Sequence, residues 1–75
     1  MIKSEELSNP NSCINTAKED EWVFVFKSKD PIAPDLIREW VKRRIEKGLN
    51  TKGDAKTEEA LQCASFMEEY RSENY

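Results

Sequence analysis

The chain of 75 residues has no histidine, two glycines, three prolines and two cysteines, and each shortage excludes something. Without histidine there is no imidazole acid or base, no His-assisted nucleophile and no commonest zinc ligand. Two glycines cannot build a glycine-rich phosphate loop. Cys13 and Cys63 stand too far apart, and are too few, for the disulfide framework of a small secreted domain. They read as free thiols in a reducing cytoplasm, packed as small buried hydrophobes. No window approaches the roughly 18 apolar residues of a membrane span, and Met1–Glu6 has no apolar signal-peptide core. Nothing in the spacing of the carboxylates picks out a catalytic pair. The expectation is a protein that is not an enzyme and uses no metal or cofactor.

Charged residues make up 36% of the chain and apolar ones 37%, with a net charge of −3. That balance fits one small domain with a thin core. A chain this short buries only about 60% of its unfolded surface, so marginal stability or self-association is expected.

Residues 1–8 read as a flexible N-terminus, 9–71 as one domain and 72–75 as a flexible C-terminus. Asn9-Pro10-Asn11-Ser12 is a turn signal, and Pro10 suits the first position of a short helix capped by Asn9 and running through Cys13, Ile14 and Ala17. Trp22-Val23-Phe24-Val25-Phe26, bounded by Glu21 and Lys27, predicts a β-strand covered on both faces. No second run of this kind exists, so pairing with a second copy through Trp22, Val23, Phe24, Val25 and Phe26 is expected, the alternative being an extended segment packed on the helices. Pro31 and Pro34 lead into a helix from about Pro34 to Lys47, with Leu36, Ile37, Trp40, Val41 and Ile45 on its apolar face and Gly48 as its stop. A second helix from Asp54 or Thr57 to about Arg71 carries Ala60, Leu61, Cys63, Ala64, Met67 and Tyr70 as its stripe. The predicted fold class is α+β: a short N-terminal helix or turn, one strand, and an antiparallel helical hairpin, dimerised through the strand.

Three groups of residues are candidates for binding. Lys42, Arg43, Arg44 and Lys47 complement the negative end of the first long helix, and adjacent arginines also offer forked donors for phosphate. Asn11, Ser12, Asp30 and Asn50 are short polar residues at turns, which cap helices or, converging, orient a polar ligand. Trp40 and Trp22 are core residues or stacking surfaces for a base. Duplex DNA is an unsuitable partner for a net negative chain with so small a basic group.

Asn9-Pro10-Asn11-Ser12-Cys13, Asp20-Glu21 before Val23-Phe24-Val25, Asp30-Pro31 with Ala33-Pro34, Trp40, Arg44-Ile45, Gly48, Asn50 and Glu59-Ala60-Leu61 with Cys63-Ala64 and Met67 stand in this order along the chain. In this the chain resembles a group of short uncharacterised proteins encoded in bacteriophage and proteobacterial prophage genomes. It departs from the group's pattern at Trp22, where proline is usual, and at Leu49, where a basic residue is common. The resemblance implies action in the cytoplasm of an infected bacterium and brings no established activity.

Three functions follow as expectations. The first is an anti-defence factor that sequesters an anionic nucleotide signal as a homo-oligomer, with Arg44 on phosphate, Trp40 or Trp22 on the base or sugar, and Asn11, Ser12, Asp30 and Asn50 fixing orientation. The second is an inhibitor of a host protein that docks through Glu58, Glu59, Glu68, Glu69 and Glu73. The third is a structural phage component.

Overall fold

Two prolines and an aspartate start the longer half of the molecule. The Asp30 carboxylate accepts the Ile32 N–H at 2.9 Å, and the Asp30 carbonyl accepts the Ala33 N–H at 3.3 Å. The chain turns once there and enters a helix at Ala33, with Pro34 in the first turn, where its missing N–H costs no hydrogen bond. That helix ends at Glu46 because Gly48 takes φ 72°. The Gly48 N–H then donates to the Ile45 carbonyl at 3.0 Å and the Leu49 N–H to the Arg44 carbonyl at 2.9 Å, the paired closure of a Schellman motif. After Gly53 at φ 83°, Asp54 caps a second long helix, its carboxylate accepting the Thr57 N–H at 2.8 Å.

The computed structural model describes all residues from Met1 to Tyr75. Its elements in order are α1 (Lys3–Ser8), α2 (Cys13–Thr16), α3 (Ala33–Glu46) and α4 (Ala55–Asn74). Helices α3 and α4 form an antiparallel hairpin. Asn50 and Asp54 join at the loop end, Arg38 pairs with Glu68 farther along, and the Arg71 Nε donates to the Lys29 carbonyl at the open end. Between the helices lie Val41 on α3 and Thr57, Ala60 and Ala64 on α4, all buried. Ala60 and Ala64 share one face of α4 and let the backbones approach. The core is thin: seven residues are buried, and Thr57 is the largest that is fully so.

Helices α1 and α2 are tied by polar groups instead. The Asn9 carboxamide oxygen accepts the Asn11 N–H at 2.9 Å, and Ser12, not Asn9, caps the following turn. The Ser12 hydroxyl donates to the Glu6 carbonyl at 2.6 Å. Asn15 Nδ2 lies 2.8–2.9 Å from the carbonyls of Glu6, Leu7 and Asn9. Residues 3–8, given no element by their sequence, thereby become α1.

The α+β expectation is overturned, because the molecule is all-helical and residues 21–27 form no strand. A strand needs a ladder, and no other segment of the chain supplies one. None of the backbone N–H or C=O groups from Trp22 to Phe26 is hydrogen-bonded within the chain. Nor is the segment covered on two faces, since Trp22 is 98% exposed and Phe24 83%. The strand through which a dimer was expected is therefore not formed in the isolated chain. The thiols are also less enclosed than expected, Cys13 exposed and Cys63 half-buried. No helix is long and apolar enough to cross a membrane.

Candidate functional site

Trp40 and Arg44 stand one turn apart on α3, and Lys47, its C-cap, and Asn50 follow just beyond its end. The Arg44 Nε donates to Asn50 Oδ1 at 2.6 Å. Asn50 Nδ2 in turn donates to Asp54 Oδ2 at 3.1 Å, which also accepts the Thr51 N–H at 3.1 Å. The Thr57 N–H, first, and then the Asn50 amide hold the Asp54 carboxyl far below the ordinary carboxylate range. This chain of bonds fixes the Arg44 side chain from one edge. Its guanidinium carbon sits 5.4 Å from the Trp40 ring centroid, within reach of a cation–π contact.

The terminal nitrogens of Arg44 have no partner in the chain. Of the other cations in the group, Arg43 donates through Nε to Glu39 at 3.0 Å and depresses that carboxyl, while Lys42 and Lys47 form no ion pair. A guanidinium held by Nε, backed by an indole and open at both Nη atoms is a fork for a phosphate or carboxylate. Beside it, Leu36, Glu39, Trp40 and Arg43 line a shallow depression of about 270 Å³, smaller than the usual enclosed small-molecule site. Trp40 is 43% exposed there and Leu36 45%, so an apolar and aromatic surface adjoins the cation.

A larger open groove of about 350 Å³ runs between α3 and α4, bordered by Arg38, Lys42, Lys52, Glu46 and Glu58. Its arginine is already committed. Arg38 donates to both carboxylate oxygens of Glu68 and reaches Asp35 at 3.4 Å. Glu68 raises the Arg38 pKa and is itself lowered. The smaller site has the better-prepared donor.

Of the six predicted ligand residues, three come together: Trp40, Arg44 and Asn50. Asn11 and Ser12 belong to the α1–α2 turn, where the buried Ser12 is used for capping. Asp30 precedes the opposite end of α3, roughly 16 Å of helix away from Arg44. Of the predicted docking glutamates, Glu68 is engaged by Arg38 and Glu59 lies 3.8 Å from the Met1 amino group, while Glu58 and Glu69 form no ion pair. The sequence reading missed Asp54 as the group that anchors Asn50 and hence Arg44. Its signal was the helix cap it also provides. The Arg38–Glu68 pair had no local signal, being thirty positions apart.

No protein-family model matches the chain, and no curated protein and no solved structure is significantly similar to it.

Proposed function

We propose that this protein is a non-enzymatic binding protein that sequesters an anionic nucleotide at the corner formed by Trp40, Arg44, Lys47 and Asn50. The observation that carries the reading is the Arg44 guanidinium, positioned through Nε and without a partner at its terminal nitrogens. In this reading Arg44 takes the phosphate as a bidentate donor, Lys47 adds charge, and the base or sugar lies against Trp40 over the depression beside Leu36. The negative end of α3 weakens anion binding there, so both cations are needed. Asn11, Ser12 and Asp30 have no part in it. In this reading the setting is the cytoplasm of an infected bacterium and the ligand class a defence nucleotide. Docking through the acidic helix has less support, because Arg38 and the N-terminal amine already face two of its four central glutamates.

The test uses a Trp22→Phe variant, in which Trp40 is the only indole. Titration with cyclic dinucleotides and ADP-ribose-type nucleotides should quench its fluorescence and raise the melting temperature. Arg44→Lys keeps the charge but loses the fork, and should weaken binding about tenfold or more. A panel in which no nucleotide quenches Trp40 or shifts melting would refute the reading.

A further inference from the structure

The stretch from Glu19 to Lys29 carries a charge symmetry that the isolated chain uses little: the Glu21 carboxylate accepts the Lys18 N–H at 3.2 Å, and Lys29 Nζ lies 5.4 Å from the Tyr75 ring centroid. Acidic Glu19, Asp20 and Glu21 precede the apolar run, and basic Lys27 and Lys29 follow it. None of these five charges forms an ion pair within the chain. Of the five residues between them, Trp22, Val23, Phe24 and Val25 are exposed, Trp22 to 98%, and Phe26 is half-buried; all five leave their backbone polar groups without protein partners.

We infer that residues 19–29 are a self-association surface whose occupant is the same segment of a second copy, laid antiparallel about Phe24. In that register Phe24 meets Phe24, Val23 meets Val25 and Trp22 meets Phe26. Glu21 then stands opposite Lys27, and Glu19 opposite Lys29, twice over by the twofold axis. No other partner is needed to explain why the ends of the run carry opposite charges, and a parallel register would set like against like. Facing backbones supply the hydrogen bonds the chain lacks. Residues two apart share a side, and Phe24 already meets Phe26 edge to face at 5.1 Å. Trp22, Phe24 and Phe26 of both copies thus gather on one side of the pair.

This inference is independent of the nucleotide site, at the far end of α3. Sedimentation equilibrium of the full chain across the micromolar range should show a monomer–dimer equilibrium. Glu21→Lys and Lys27→Glu each replace two attractive pairs by two repulsive ones, and should each weaken the dimer roughly tenfold. The double variant restores opposite charges and should return to the parent's dissociation constant. Both positions are exposed, and circular dichroism of each variant should show the helical hairpin retained. A monomer throughout the concentration range, or a double variant no tighter than the singles, would overturn the inference.

Discussion

The α3–α4 hairpin and the segment from Lys18 to Ile32 are built on opposite principles. In the hairpin three of the four helix ends are closed by their own neighbourhood: Asp30 turns the chain in, Gly48 and Arg44 close α3, and Asp54 opens α4. The preceding segment holds five consecutive apolar residues, Trp22 to Phe26, and makes little use of them inside the chain. Apolarity alone does not create a core; it needs a facing surface and a backbone whose hydrogen bonds are met. The hairpin supplies both to itself, and the Trp22–Phe26 run supplies neither.

The sharpest way to break the contrast is to damage the hairpin where it is tightest. Ala64 is fully buried against α3, so Ala64→Leu should overpack the contact at a cost of about 1–3 kcal/mol. In a domain this small each kcal/mol moves the melting temperature by about 4–8 °C, readable by circular dichroism.

Asp54→Ala comes next. It removes the α4 cap and the anchor of Asn50 together, and the melting temperature should fall by about 5 °C. Asp54→Asn keeps a capping oxygen for Thr57 and should recover the capping part of that loss, but its amide nitrogen cannot accept from Asn50 and Thr51.

Acid should act on the same half. The Asp54, Glu68 and Glu39 carboxyls all titrate below their ordinary values when folded. Each therefore stabilises the fold above its unfolded pKa, and that contribution disappears as pH falls through the folded pKa. Denaturant titrations should show a plateau above about pH 5 and declining stability below pH 4.5. Asp54, the most depressed, should be the last to be lost, and Asp54→Asn should flatten the most acidic part of the curve.

The smallest effect belongs to the other half. In dilute solution Phe24→Ser should leave hairpin melting nearly unchanged, because Phe24 is 83% exposed. A melting loss as large as that of Ala64→Leu would mean that the segment packs on its own helices.

The same contrast explains what could be read from the sequence. Both long helices were recognisable because their signals are local: proline at the start, Gly48 and Asp54 at the boundaries, and Ala60 and Ala64 at helical spacing. The observed bounds fall within a few residues of those expected. The run at 22–26 misled because composition reports what a segment is suited to pair with, not whether the partner lies in the same chain. At the candidate site, Trp40, Arg44 and Asn50 lie within eleven residues of sequence, so local spacing brought them together. Asn11, Ser12 and Asp30 share their residue types but not their place, and nothing short of tertiary geometry distinguishes a capping serine from a ligand-binding one.

Amide hydrogen exchange, followed residue by residue at several protein concentrations, tests this division of the molecule most directly. The account predicts that amides in α3 and α4 stay protected in dilute solution. Alternate amides from Trp22 to Phe26 should exchange at open-chain rates when dilute and slow progressively as concentration rises. Protection of that segment independent of concentration, or equal to that of α3 at the lowest concentration, would contradict it.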